Sequence, residues 1–394
     1  MQRVEIRQVR HRHELEACFD LWGFVFSNES RAFFQERLDY DTHYVGETTW
    51  VAIVDGVIAS AIQIFPYRAR LESLELLVGG IGSVATHPEY RGRGLAQEIL
   101  HAQIHWMEEN GFDLSLLFTG IHDFYRQCGW EQVLEKEYSI DSLQLNPGGS
   151  RLAAGGFVPA GHDLGEIARV YDEYNRHRTN SMVRSQEYWR DQLRWRHESL
   201  SRNFYAAIED GEITAYLRLR EKDAIYVDEA VYRPGHGDTV VSLFEQFILE
   251  NPGKAIELRI PDDHALARFF DQQGVSPTSF DGAMWRLFNF PRFMKKMEPI
   301  FAKRFTNGQQ GNQEILVRCG DEAVSLRVDG GDVRVIAYDG YPRYQSCLTL
   351  SEADFLTLAT QGAQALEDGK VKRNPVLETL FPNQHSIMWS SDFF

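Results

Sequence analysis

Two arginines and two glycines at consecutive positions form the stretch of this chain best suited to bind an anion. The segment Arg91–Gly94 reads Arg-Gly-Arg-Gly and is followed at once by a helical pattern that starts at Leu95 and ends at Gly111. Glycine lets the backbone adopt positive φ and approach a ligand closely. The free N–H groups and positive dipole end of the helix point into the turn, and the guanidinium groups add charge. The stretch therefore predicts a phosphate or pyrophosphate site.

The segment is not a Walker loop, because no Gly-Lys-Ser/Thr follows it. It is not a dinucleotide-binding loop either, because the glycine spacing differs from that fingerprint. The segment resembles instead the acyl-CoA pyrophosphate loop of the GCN5-related N-acetyltransferase (GNAT) superfamily. The pattern of that loop, Arg/Gln-x-x-Gly-x-Gly/Ala, is met by Arg91, Gly94 and Ala96, and Pro88 precedes it as is common there. The alternative is a basic surface turn between a strand and a helix.

A second motif, Phe-Tyr-Arg-x-x-Gly-aromatic-Glu, covers residues 124–131 and is also a marker of that superfamily. It predicts a short helix, a glycine turn and a closing strand. The ordinary pKa of a tyrosine is about 10, so Tyr125 can give a proton to a leaving thiolate. The alternative is a core aromatic residue in a closing turn.

Composition bounds the protein class. The chain has 394 residues, 43% hydrophobic and 25% charged, which is ordinary for a globular protein of two to three domains. The net charge of −16 argues against nucleic acid as the main partner and fits a cationic substrate, although acidity for solubility alone explains it as well. No apolar run is long enough for a membrane span, and the N-terminus is no signal peptide. Four scattered cysteines indicate neither a disulfide frame nor a zinc site, and we expect a cytoplasmic protein.

The elements around the loop predict an α/β acyltransferase core. Periodicity indicates helices at 14–26 and 27–40 and strands at 50–54 and 57–65, joined by an Asp55-Gly56 hairpin. The second of these strands is expected to end at Pro66. Strands at 79–83 and 113–119 flank the loop and its helix, and the Asn-Pro-Gly-Gly-Ser segment at 146–150 indicates a linker.

Two further units follow. Helices at 170–195 and 239–249 and strands at 204–208, 213–219, 224–227 and 255–260 repeat the order of the first unit without its cofactor loop, which predicts a degenerate copy. The third unit has a helix at 293–303, alternating strands at 314–319, 323–328 and 333–336, and a helix capped by Ser351 that runs to about 366, an order that resembles the sterol-carrier-protein fold. We expect an α/β (α+β) protein: an active GNAT domain at 1–148, a degenerate GNAT-like domain at 149–290, and a sterol-carrier-protein-like domain at 291–394.

Three units in this order, with the loop, the tyrosine turn and the aromatic C-terminus at 389–394, resemble the enhanced intracellular survival (Eis) family of acetyltransferases. That resemblance implies acetyl-CoA as co-substrate, amines of polycationic small molecules as acceptors (aminoglycosides included), no metal, and a hexamer.

The resemblance also implies roles for single residues. Tyr125 would be the general acid and the C-terminal carboxylate of Phe394 the general base. Apart from the resemblance, the sequence offers His122 and Asp123 as alternative bases. The backbone of Val84, Ala85 and Thr86 would pair with the pantetheine arm like an extra strand. The remaining implied residues are Gly92, Arg93, Gly94, Leu95, Ala96, Gln97 and Gly120 for the cofactor, beside Arg91, and Trp22, Phe26, Glu29 and Asp392 for the substrate. Equally, Trp22 and Phe26 are explained as core residues, and the two terminal phenylalanines as a hydrophobic end packed for stability.

These observations predict an acetyl-CoA-dependent N-acetyltransferase that acts on an amine of a cationic small molecule, aminoglycoside- or polyamine-like, or on a lysine side chain. The rival hypothesis is a binding protein: the third unit holds a lipid, and the acyltransferase part senses CoA without turnover.

Overall fold

A computed structural model describes residues 3–27, 29–42, 48–148, 152, 155–158, 160–195, 204–308, 313–329, 332–338, 340, 346–366 and 375–394. In chain order, its strands are β1 (Val4–Gln8), β2 (Thr49–Val54), β3 (Val57–Leu71), β4 (Leu74–Thr86), β5 (Leu114–Phe118), β6 (Glu131–Gln132), β7 (Glu135–Asp141), β8 (Gly155–Val158), β9 (Phe204–Glu209), β10 (Glu212–Glu221), β11 (Ile225–Tyr232), β12 (Ala255–Leu258), β13 (Thr278–Phe280), β14 (Ala283–Leu287), β15 (Gln313–Cys319), β16 (Glu322–Asp329), β17 (Asp332–Ala337) and β18 (Ser346–Leu350). Its α-helices are α1 (Arg12–Val25), α2 (Arg31–Tyr40), α3 (Leu95–Glu109), α4 (His122–Arg126), α5 (Ala160–Asn175), α6 (Gln186–Trp195), α7 (Gly237–Glu250), α8 (Ala265–Gln272), α9 (Phe290–Lys296), α10 (Glu298–Gly308), α11 (Glu352–Gln361) and α12 (Pro375–Leu380).

The first sheet has the order β1-β2-β3-β4-β5-β14-β6, and helices cover both of its faces. Side chains alternate between the two faces of a strand. Val51 and Ala61 accordingly pack under α1 and α2, while their neighbours Ala52 and Ile62 pack under α3. The apolar alternation of β2 and β3 thus specifies a central layer between two layers of helix.

Strands β4 and β5 are parallel and pair only from Val78 to Gly80 on β4 and from Leu114 to Leu116 on β5. Both strands continue beyond the paired part, β4 to Thr86 and β5 to Phe118. A gap therefore opens between them, and the edge of β4 that faces it carries no strand pairing there in the described chain.

A β-bulge lies in β4 at the same place. Ala61 of β3 pairs with Ala85, and Gln63 pairs with Gly82, so three steps along β4 match two along β3. Ser83, within the bulge, has a φ of 53°. A bulge re-aims the strand that carries it, and here it changes the direction of β4 beside the gap.

Strand β3 continues past Pro66 to Leu71, so the expectation that Pro66 ends it is wrong. The pairing of β2 with β3 stops at Gln63, and at Pro66 the strand pairs only with Gly79 of β4. Beyond the end of β2, the missing N–H of proline deprives no neighbouring strand of a hydrogen bond.

The second sheet has the order β13-β7-β12-β11-β10-β9-β8. It contains β7, which precedes the predicted boundary at residue 148, whereas β14, from the predicted second unit, lies in the first sheet between β5 and β6. The two sheets thus exchange strands, and the predicted boundary at 148 does not separate them. The reason is pairing: β14 is antiparallel to β5 over Ala283–Leu287 and lies between β5 and β6 in the first sheet.

The third sheet has the order β17-β16-β15-β18 and packs with α9–α12. Its hydrophobic core is continuous with the face of the first sheet opposite α3. Tyr67, Leu76 and Trp285 of that sheet lie in the same buried cluster as Phe355 of α11. Ser351 caps α11 as expected, but the predicted helix at 293–303 is divided into α9 and α10. None of the helices in the described ranges combines the length and the hydropathy that crossing a lipid bilayer requires.

Candidate active site

The Arg91–Gly94 loop lies on the surface between a short 3-10 turn at Pro88–Tyr90 and the first turn of α3. Gly92 and Gly94 both have a φ of 74°, and a Cβ on either would meet no atom within 4 Å. Glycine is therefore needed at both positions for conformation and not for lack of space.

Gly94 is the N-cap of α3 and offers no capping side chain. The first N–H groups of this 15-residue helix stay open toward the loop. The guanidinium of Arg91 bonds the carbonyl of Thr86 at 3.3 Å, and that of Arg93 bonds the carbonyl of Glu89 at 3.2 Å. Such an arrangement of open N–H groups and two arginines fits a pyrophosphate.

The other predicted cofactor residues surround the loop and the gap. Leu95 is buried and anchors α3, Ala96 and Gln97 are half-buried, and the Gln97 amide bonds Gln127 after α4 at 3.0 Å. Val84, Ala85 and Thr86 end β4 beyond its last pairing with β5, so their backbone edge faces the gap. Gly120 follows β5 and is exposed.

The C-terminus lies at the gap. The ring of Phe393 stacks on Phe118 at the end of β5, with 3.8 Å between centroids. The ring of Phe394 fills the space beside Gly80, where an added Cβ would come within 2.5 Å of it. The carboxyl carbon of Phe394 lies 3.4 Å from the position of a Cβ on Gly82. The C-terminal carboxylate therefore lies against β4 just past its last residue paired with β5.

A buried network of ion pairs holds Asp392, two residues before the C-terminal Phe394. Asp392 is 3% exposed and accepts hydrogen bonds from Arg184 at 2.9 and 2.8 Å and from the hydroxyl of Tyr188 at 2.8 Å. Arg184 also pairs with Glu229 at 2.9 Å, and Arg218 pairs with the same carboxylate at 3.1 Å. Burial opposes the ionisation of Glu229, but the two guanidinium groups outweigh it and lower its pKa to about 2.

Asp392 is a predicted substrate residue, but both of its carboxylate oxygens are bound within the protein. Arg259 supports the same segment: its guanidinium bonds Ser390 at 3.3 Å and lies 4.1 Å from the ring of Phe393. The last residues of the chain are thus fixed by charge pairs and aromatic packing. A chain end without such contacts would fray.

Tyr125 lies on α4, and its ring packs edge-on against Phe124 at 4.9 Å and Trp130 at 6.5 Å. The side chain is 6% exposed, and burial, with a smaller contribution from Cys128, raises the pKa of the phenol to about 12. The phenol is therefore protonated at neutral pH and can act as a donor.

The two alternative bases lie at the start of α4. Asp123 is exposed and pairs with Arg126 at 2.5 Å, while Nε2 of the half-buried His122 lies 3.5 Å from the amide nitrogen of Gln132. These contacts give either residue an ordinary surface role.

The remaining predicted substrate residues belong to α1 and the turn after it. Trp22 is 1% exposed, packs on Phe34 at 5.7 Å and donates from its indole N–H to Ala61 at 3.4 Å. Phe26 and Glu29 are half-buried. Trp22 is thus a core residue, and the structure does not bring it together with the C-terminus.

Sequence reasoning missed a small recess at the end of the chain, here called the terminal recess. Its walls come from the first and middle units together with the last three residues: Arg37, Asp41, Phe65, Tyr67, Met182, Tyr188, Gln192, Asp392, Phe393 and Phe394. Only weak features of the sequence point to this recess. Arg37 and Asp41 lie four residues apart at the end of a polar helix, and the aromatic residues Phe65 and Tyr67 flank Pro66. No group of three or more histidine, cysteine, aspartate or glutamate side chains within the described ranges is arranged to hold a metal ion.

Residues 5–133 match the acetyltransferase (GNAT) domain family. The solved structures that resemble the chain include the following three, each matched over 100% of both chains. A protein of unknown function from Enterococcus faecalis V583, described as "Probable N-Acyltransferase", is 17% identical with a TM-score of 0.76. Eis1 from Mycobacterium abscessus is 16% identical with a TM-score of 0.68, and a GCN5-related N-acetyltransferase from Anabaena variabilis ATCC 29413 is 16% identical with a TM-score of 0.69.

At these identities the structural likeness establishes the fold alone, and no curated protein matches the sequence. The likeness over the whole chain confirms the predicted α/β architecture with tandem GNAT-like domains. The sterol-carrier likeness of the third unit stays a prediction.

Proposed function

Since this chain is an acyltransferase with a GNAT domain at residues 5–133 and the fold of Eis1, we propose that it transfers acetyl from acetyl-CoA to an amine. The acceptor is an amine of a cationic small molecule, aminoglycoside- or polyamine-like, or a lysine side chain. Phe394 supplies the general base through its C-terminal carboxylate, and Tyr125 is the general acid.

The observation that carries this proposal is the position of the chain end. A GNAT domain uses acetyl-CoA as its co-substrate. At the gap between β4 and β5, the unpaired edge of β4 can bind the pantetheine arm as an extra strand. The carboxyl carbon of Phe394 lies beside Gly82, at the start of that gap.

The residues around the gap fit acetyl-CoA. The open N–H groups of α3, with Arg91 and Arg93, suit its pyrophosphate, and the backbone of Val84–Thr86 suits the amide groups of pantetheine. Gly120, without a side chain, leaves room beside the thioester.

The amine nitrogen attacks the thioester carbonyl after losing a proton, which the Phe394 carboxylate accepts. The C–S bond breaks as the amide forms, and the phenol of Tyr125 protonates the leaving thiolate. The nitrogen loses its second proton in this step, which restores the phenol, and the carboxylate releases the first proton to solvent. Burial raises the pKa of Tyr125 to about 12, so the phenol carries its proton when the substrates bind. The net charge of −16 favours the approach of a cationic acceptor.

Thiol release from acetyl-CoA over a panel of aminoglycosides, polyamines and lysine peptides tests the proposal. Tyr125→Phe removes only the hydroxyl, and one glycine appended after Phe394 keeps both terminal rings but moves the carboxylate. We expect each change to lower kcat by about 100-fold or more while calorimetry shows acetyl-CoA binding retained. Tyr138→Phe, a buried tyrosine of the second sheet, is the matched control. Unchanged kcat in both variants contradicts the roles, and loss of activity in His122→Ala or Asp123→Ala would reassign the base.

Three further expectations rest on the resemblance to the Eis family: a hexamer, a cytoplasmic protein and a sterol-carrier-like third unit. Analytical ultracentrifugation of the untagged protein tests the first of these. Mass spectrometry of a solvent extract tests whether the third unit holds a lipid, which the rival binding-protein hypothesis requires.

A further inference from the structure

The terminal recess contains a hydroxyl group that the protein leaves without a hydrogen bond. Tyr67, on β3, is 2% exposed, and its hydroxyl has no partner among the described residues. Its ring lies 5.8 Å from that of Phe394. A buried hydroxyl without a partner is costly, so its retention beside the proposed base indicates a group that arrives with the substrate.

The phenol keeps its proton under all physiological conditions. Burial, and next the negative charge of Asp392, raise the pKa of Tyr67 well above its ordinary value. A protonated phenol offers one O–H and two lone pairs, so it can accept a hydrogen bond from an ammonium group.

Two of the three carboxylates in the recess are already neutralised. Asp392 is paired with Arg184, and Asp41 is paired with Arg37, whose Nε lies 3.4 Å from the carboxylate. Among the described groups of the recess, this leaves the C-terminal carboxylate of Phe394 as the acid that can receive a cation.

The walls favour a single slender cation. The free space in the recess admits about one water-sized group, such as the nitrogen of an ammonium. Tyr67, Tyr188 and Phe394 line it with aromatic rings, and such rings attract an ammonium group. The ring of Phe65 also lines the recess but already has the Arg37 guanidinium 4.0 Å from its centroid. A bulky carbon next to the nitrogen does not fit this space.

We infer that the terminal recess receives the terminal –CH₂–NH₃⁺ group of an unbranched chain, as in a polyamine or a lysine side chain, and discriminates against an amine carried on a ring carbon. One N–H of the ammonium bonds the Phe394 carboxylate, and another bonds the hydroxyl of Tyr67. This inference rests on the proposed function and narrows its acceptor class.

Hexylamine and cyclohexylamine have six carbons each and differ in whether the carbon that carries the nitrogen belongs to a chain or a ring. Comparing them therefore tests whether the recess selects by the shape of the amine. We expect kcat/KM for hexylamine to exceed that for cyclohexylamine by about 100-fold, since pocket shape alone discriminates on that scale. In Tyr67→Phe, we expect KM for hexylamine to rise by about 10-fold or more while KM for acetyl-CoA stays unchanged. Tyr174→Phe, a tyrosine of comparable burial in the core of the second sheet, is the matched control and should change neither constant.

The outcomes separate the two claims. Equal turnover of both six-carbon amines, or an unchanged hexylamine KM in Tyr67→Phe, overturns the inference and leaves the acetyltransferase proposal standing. Preferred turnover of aminoglycoside ring amines also overturns it. No thiol release with any amine, while acetyl-CoA still binds, removes both the inference and the amine-transfer proposal.

Discussion

Replacement of Arg184 by methionine tests whether the buried ion pairs position the chain end. Arg184 is fully buried and joins Asp392 to Glu229. In the variant, Asp392 keeps the hydroxyl of Tyr188 but loses its cation, whereas Glu229 keeps Arg218. Removing one partner of a buried pair costs about 3–5 kcal/mol, and the full range applies here because Asp392 keeps no cation.

The expected result has two parts. Urea unfolding should show a free energy of unfolding lowered by about 3–5 kcal/mol. Thiol release should fall at least as much as in the variant extended by one glycine, because the segment that carries the Phe394 carboxylate is no longer held.

Arg220→Met is the matched control. Arg220 lies on β10, the same strand as Arg218, and makes a two-point contact with Asp228 at 3.1 and 3.0 Å. Arg220 is 36% exposed but Asp228 is only 4% exposed, so the loss should be about 1–3 kcal/mol, more than for a surface pair, with turnover unchanged. If Arg184→Met loses less than about 1 kcal/mol and keeps its turnover, the network does not position the chain end.

Two further predictions concern the same region. Gly80→Ala places a Cβ within 2.5 Å of the Phe394 ring. We therefore expect the free energy of unfolding to fall by about 1–3 kcal/mol and kcat to fall markedly. A Cβ at Gly120 meets no atom within 4 Å, so Gly120→Ala should leave stability unchanged. The pKa of Glu229 is lowered in the folded state, so its stabilisation is present above about pH 4.5 and is lost as the pH falls towards 2. Urea unfolding at pH 7, 5 and 3 should show this loss, and Glu229→Gln should show a smaller one; equal pH dependence in both proteins would contradict the assignment.

Local patterns predicted the elements that carry the cofactor site. The glycines of the Arg91–Gly94 loop have the positive φ that the sequence suggested, and α3 begins at Leu95 as expected. The hairpin at Asp55-Gly56 joins β2 to β3. These features depend on residues close together in the chain, so periodicity and turn chemistry are enough to identify them.

Strand pairing between residues far apart in the chain could not be predicted from the sequence. Strands β7 and β14 exchange between the sheets, and no local signal distinguishes a short alternating strand that pairs in one sheet from one that pairs in the other. Pro66 does not end β3, because a proline is tolerated in the strand beyond the point where β2 stops, and the local sequence does not show where that is. For Trp22 the sequence leaves a substrate residue and a core residue equally open, and only the structure shows that it is 1% exposed. Residue type alone likewise does not reveal that Asp392 is bound by Arg184.

By itself, then, the sequence determined the loop, its helix and the order of strands around them, because each is written in neighbouring residues. Only the tertiary structure decided which atoms meet at the gap between β4 and β5. The carboxyl group of Phe394 lies beside Gly82, and the hydroxyl of Tyr67 lies buried in the terminal recess. These groups are more than 300 residues apart in the chain, and they meet because Arg184 and Arg259 of the middle unit hold the C-terminal segment against the first sheet.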